Sequence, residues 1–217
     1  MKYILILFLI LNIGFAKDFT PKLQSKEKKF KKSLLYKFKD FNFKWDISFL
    51  TVVSFEELYK ENRKLKYKNL KPIFKTDNRV FSKKIKRDIL YLANLMSNRK
   101  NYPIKKTYGP WGYTYYVVIF IDNKGKMFAL ENYKELKDML GVIDTPAELL
   151  VWLRLKYGEY PYSYLFKNTL WQVRYSNWSL GKCYYSEYFK YYNNNGKFIK
   201  EVKIKNYHKK GCIDPVM

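Results

Sequence analysis

The hydrophobic positions change period several times along this chain, and each change marks an element. Phe41, Phe43, Trp45, Ile47 and Phe49 alternate with Asn42, Lys44, Asp46 and Ser48. That period of two predicts a half-buried strand with an aromatic inner face. Ser54-Phe55-Glu56-Glu57 has the spacing of a reciprocal capping box and predicts a helix over 55–66. Ile85, Ile89, Leu92 and Met96 recur at three- and four-residue spacing, predicting a second helix over 83–97, with Asn101-Tyr102-Pro103 beyond its end. Tyr113–Ile121 is continuously apolar and rich in β-branched and aromatic residues, as in a strand covered on both faces. Asp122-Asn123-Lys124-Gly125 then turns the chain back into a partner strand, Lys126–Glu131.

Asn132 with Glu135 caps a short helix that stops at Gly141. Thr145-Pro146-Ala147-Glu148 combines an N-cap, a proline at the first helical position and a returning glutamate. The helix it opens carries Leu149, Leu150, Val151, Trp152, Leu153 and Leu155 before Gly158 closes it. Apolar nearly all round, it is expected at the buried centre of the fold. A meander follows: Leu170–Tyr175, Cys183–Tyr192 and Lys197–Lys205, with Asn193-Asn194-Asn195-Gly196 as its second turn. The fold class read from this order is α+β. Residues 36–217 form one domain with a mostly antiparallel sheet, a central buried helix and a C-terminal three-stranded meander.

The N-terminus carries a different signal. Met1-Lys2 precedes the apolar run Tyr3–Phe15, and Gly14-Phe15-Ala16 supplies a small-x-small cleavage pattern, so residues 1–16 read as a secretory signal peptide. As a helix the run reaches about 20 Å, short of a hydrocarbon core of roughly 30 Å, which disfavours a retained anchor. The expected location is therefore exported, periplasmic or secreted, with no integral membrane span after cleavage. Residues 17–35 are lysine-rich without a period and read as a basic N-terminal arm. Export places Cys183 and Cys212 in an oxidising space, where one disulfide between them is favoured over a metal site with His208.

Composition sharpens the question of partners. The 217 residues hold 43 Lys and Arg against 19 Asp and Glu, a formal charge of +24. The stretch 17–106 carries +17, 107–160 carries −1 and 161–217 carries +7. Such a field attracts an anionic polysaccharide, lipid headgroups, nucleic acid or an acidic protein. Lysine outnumbers arginine 37 to 6, which weakens the case for bidentate phosphate recognition and also matches drift toward A- and T-rich codons.

Catalytic patterns are sparse. One histidine excludes any site needing two imidazoles, and Ser-x-x-Lys spacings occur as often as chance allows. No metal or cofactor motif stands out, so none is expected. Glu131, Asp144 and Glu187 are the carboxylates available to a small cell-envelope hydrolase, the alternative reading; an inhibitor or immunity-type protein is a third. The favoured reading is a non-catalytic binding protein. Tyr184, Tyr188 and Tyr192 share one strand face with Lys190, beside Lys203 and Lys205 of the next strand. Part of that aromatic row is expected to be exposed, and flat rings beside cations suit sugars, bases or a protein partner.

Overall fold

A computed structural model describes residues 26–32, 36–56, 65–76, 81–98, 105–109, 112–179 and 184–208. The strands are β1 (Lys28–Lys29), β2 (Ile47–Glu56), β3 (Lys71–Lys75), β4 (Lys105–Gly109), β5 (Gly112–Asp122) and β6 (Met127–Ala129), then β7 (Ser163–Lys167), β8 (Leu170–Ser179), β9 (Tyr184–Asn193) and β10 (Phe198–His208). The helices are α1 (Lys83–Ser97), α2 (Tyr133–Leu140) and α3 (Pro146–Trp152), the last continuing as a π turn over Leu153–Tyr157. The fold is α+β, and its antiparallel strands divide into two sheets. One has the order β3-β2-β5-β4, with β6 beside β4 on the same edge of β5; the other runs β1-β7-β8-β9-β10.

The central helix forms as its sequence dictates. Thr145 Oγ1 accepts from the Glu148 N–H at 3.3 Å, and Glu148 Oε2 accepts from the Thr145 N–H at 3.1 Å. Leu149, Leu150, Val151, Trp152, Leu153 and Leu155 are all buried. Leu150, Val151 and Leu155 lie beside Val52, Ile73 and Phe74 of the first sheet. Trp152 reaches the second sheet, its Nε1–H donating to Gly196 O at 2.8 Å in the β9–β10 turn. The helix thus joins both sheets into one core.

Two local expectations are corrected. The alternating aromatics from Phe41 do not begin a strand: Phe38–Asp40 is a short 3-10 turn and β2 starts only at Ile47. Phe41, Phe43 and Trp45 pack without a pairing partner, Phe41 stacking on Phe43 at 4.7 Å and meeting Phe74 edge-on, Trp45 meeting Phe120. Period two reported side-chain burial there, not a hydrogen-bond ladder. Nor does a helix start at Phe55. Thr51–Glu56 pairs with β5 and its first four residues with β3. Ser54 Oγ donates to Lys71 O at 3.2 Å across the ladder instead of capping. Residues 57–64 of that expected helix lie outside the described residues.

The meander is present and longer than expected, extended by β7 and by a short β1 at the outer edge. The β7–β8 turn, Asn168-Thr169, takes positive φ at both residues, 50° and 63°, the geometry that matches the twist of a two-residue hairpin. Residues 26–32 of the basic stretch lie along this sheet: Lys28 pairs with Tyr164, and the Phe30 ring sits 4.7 Å from that of Tyr164. Among the described residues no helix is long and apolar enough to cross a membrane. The expected signal peptide, residues 17–25 and 33–35 of the expected arm, Cys183 and Cys212 lie outside the described residues, as does the side chain of His208.

Candidate functional site

Strand register decides what the Tyr/Lys row can do. Tyr188, Lys190 and Tyr192 of β9 stand opposite Tyr175, Val173 and Trp171 of β8, so these side chains share the face turned toward α3. Gly158, in the left-handed conformation at the end of the π turn, swings the chain round so that the Glu159 N–H bonds Leu153 O at 3.2 Å. This delivers the Glu159 carboxylate to the middle of the row. Tyr175 Oη donates to it at 2.6 Å and Tyr192 Oη at 2.5 Å, while Lys190 Nζ is its ion-pair partner. Lys190 Nζ also lies 3.7 Å from Glu201 on β10.

The exposure expected for this row is therefore corrected at Tyr192, which has none, and reduced at Tyr188 and Lys190, which are half-buried. A carboxylate from outside the meander, supplied by the loop after the helix, occupies the place an external anion would take. Burial lowers the Lys190 ammonium, yet Glu159, Tyr188 and Glu201 outweigh it and hold it above its ordinary range. Burial, reinforced by the Glu159 charge, pushes the Tyr175 and Tyr192 phenols far up. Tyr184 opens β9 opposite Ser179 and His208, and its side chain lies outside the described residues. Lys203, opposite Tyr188, shares the face of the row, whereas the expectation for Lys205 is corrected: a register shift after Lys203 sets it opposite Glu187, on the other face with Lys200. All three are exposed on β10, as is Lys197 just before it.

The opposite face of the same sheet repeats the arrangement. Arg174 Nη2 donates to Glu187 at 2.8 Å and its Nη1 lies 3.4 Å from Glu27, whose carboxylate also accepts from Ser163 Oγ at 2.6 Å. Tyr162 Oη donates to Glu187 at 3.2 Å. Glu187 is thus held in an ion-pair network. Glu131 precedes α2, where its N–H donates to Glu135, and Asp144 precedes α3, where one oxygen accepts from Asn42 Nδ2 at 3.0 Å. The three carboxylates considered for hydrolysis stand on separate elements. Glu148 accepts from the Asn42, Asp144 and Thr145 N–H groups; burial raises its carboxyl and these three bonds pull it back. Among the described residues no group of three or more His, Cys, Asp or Glu is placed to hold a metal ion.

One feature was not foreseen from the sequence. Beside the β7–β8 hairpin and the start of α3 the surface opens into a cleft of about 620 Å³, lined by Lys26, Lys28, Asp144, Pro146, Tyr164, Leu165, Phe166 and Trp171. Its parts come from three distant segments, and β7 itself had no periodic signal to announce it. Comparison with known proteins gives no match to a family model, a curated protein or a solved structure.

Proposed function

We propose that this chain is an exported, non-catalytic binding protein that engages an anionic envelope polymer or an acidic partner through the exposed lysines of its Tyr/Lys-rich sheet. One observation supports the reading above others. The carboxylates Glu27, Glu159 and Glu187 are held in internal pairs; Lys197 just before β10 and Lys200, Lys203 and Lys205 on it are exposed, and Glu201 is the one acid in the segment 197–205. At about 3.3 Å per residue, the segment from Lys197 to Lys205 runs roughly 26 Å along the sheet edge, its lysines on both faces of that edge strand, a length suited to an extended polyanion. Export rests on the Met1–Ala16 pattern.

The test is fluorescence anisotropy with a labelled polyuronate, and neutral dextran as control. Salt is raised from about 0.05 to 0.3 M, which shortens the screening length from roughly 14 to 6 Å. Affinity is expected to fall steeply over that range. Exchanging Lys197, Lys200, Lys203 and Lys205 for Gln is expected to weaken binding about tenfold at low salt, at a few tenths of a kcal/mol per exposed charge. Binding that ignores both salt and the four substitutions refutes the proposal.

A further inference from the structure

The cleft beside the β7–β8 hairpin has a chemistry distinct from that of the lysine edge. Its floor is aromatic and fixed. Phe166 stacks on Trp171 with ring centroids 4.2 Å apart, and Tyr164 lies 5.8 Å from the same indole. Trp171 is buried, and its Nε1–H donates to Ile143 O at 2.8 Å, which anchors the platform to the loop before α3. The indole covers one side of Phe166, which as a residue remains 38% exposed. Lys26, Lys28 and Asp144 are the charged residues that line it.

We propose that this cleft binds one acidic sugar unit, a pyranose bearing a carboxylate. Its C–H face lies on Phe166, its carboxylate between Lys26 and Lys28, and its hydroxyls donate to Asp144. The volume falls within the usual range for small-molecule sites, roughly 300–1,000 Å³. A single exposed aromatic face suits the apolar side of one sugar ring. Asp144 is what separates this ligand from a phosphodiester strand: it accepts from hydroxyls and repels a charge repeated at every unit. The inference rests on the polyanion reading above and adds the unit recognised.

Calorimetric titration of the full chain with a galacturonate trimer tests it, with maltotriose as the neutral analogue and a short oligophosphate as competitor. Phe166→Ala is expected to weaken the trimer about three- to tenfold, in line with the loss of one ring contact. Phe166→Leu, which keeps apolar cover over Trp171, is expected to do the same should the alanine variant fail to fold. The K26Q/K28Q pair is expected to weaken the trimer and to flatten its salt dependence, while maltotriose gives no heat. Trimer binding that survives both Phe166 variants but is lost with the four Lys-to-Gln substitutions overturns the cleft and leaves the polymer reading standing. Equal binding of maltotriose overturns the requirement for a carboxylate, and displacement by oligophosphate overturns the sugar. No binding of any polyanion overturns both readings.

Discussion

Gly196 is where the central helix and the second sheet are locked together, so adding one methyl group there measures how much that lock is worth. The residue sits in the β9–β10 turn at φ +71°, and its carbonyl accepts from Trp152 Nε1 at 2.8 Å and from Tyr157 Oη at 3.2 Å. A Cβ at this position would stand 2.6 Å from Trp152 Cδ1 and 2.7 Å from Ile143 Cδ1. Both neighbours are buried and held on the helix and its leading loop, so neither retreats cheaply. The left-handed backbone costs an alanine about 1–2 kcal/mol. The forced repacking adds roughly 1–3 kcal/mol, and a displaced indole loses a hydrogen bond of about 1 kcal/mol. Gly196→Ala is therefore expected to cost about 3–6 kcal/mol in urea unfolding followed by tryptophan fluorescence. Gly125→Ala is the control: φ there is +80°, with nothing within 4 Å of the added carbon, so it carries only the backbone share. Equal losses in the two variants would refute the claim that close approach to Trp152 sets the demand for glycine at 196.

Thr169 adopts φ 63° although β-branched, so Thr169→Gly is expected to stabilise the fold by about 0.5–1 kcal/mol through relief of that strain, read as a higher urea midpoint. Glu148→Gln replaces an oxygen that accepts backbone N–H groups with an amide that itself donates. The same assay should show a loss of roughly 2–4 kcal/mol, and a silent substitution would contradict the geometry. Stability should also fall in alkali. Tyr36 and Tyr133 are pushed up to about 12 by burial, and Tyr175, Tyr192 and Lys190 are raised as well. Groups that keep their protons longer in the folded state contribute fully below their unfolded values near 10, and that contribution fades as pH climbs past them. Urea midpoints should therefore hold to about pH 9.5 and drop between roughly pH 10 and 12, with tyrosinate absorbance from the buried rings appearing only on unfolding.

Elements defined by their own side chains were legible in the sequence, and elements defined by a partner were not. The Thr145–Glu148 box, the Asn132–Glu135 cap and the spacing of Ile85, Ile89 and Met96 each satisfy or bury something within a few residues. The hairpin turns at 122–125 and 193–196 are equally local. By contrast β1, β3, β4 and β7 span two to five residues; they exist because a longer neighbour offers an open edge, and nothing within them says so. The same logic separates what was read of the site. Alternation along β9 grouped Tyr188, Lys190 and Tyr192 on one face, as the register shows. That Glu159 would meet them depends on how the helix ends, a relation between residues 31 and 33 positions apart.

That relation also reshapes the electrostatics on which the functional proposal stands. Against the second sheet three half-buried carboxylates, Glu27, Glu159 and Glu187, pair with two cations, Arg174 and Lys190. More acid than base is withdrawn from the surface, so the exterior of this sheet is more positive than its composition alone implies. Exposed lysines along β10 then repel one another with little carboxylate between them to soften the field. Such repulsion opposes the compact state, and a polyanion laid along the strand relieves it. Under the proposed function, part of the attraction for a polyanion is relief of this self-repulsion, and a polymer that binds the folded form alone raises its stability by mass action. The arrangement ties the internal glutamates to the external lysines: returning a carboxylate to the surface would weaken the field on which the proposed binding depends.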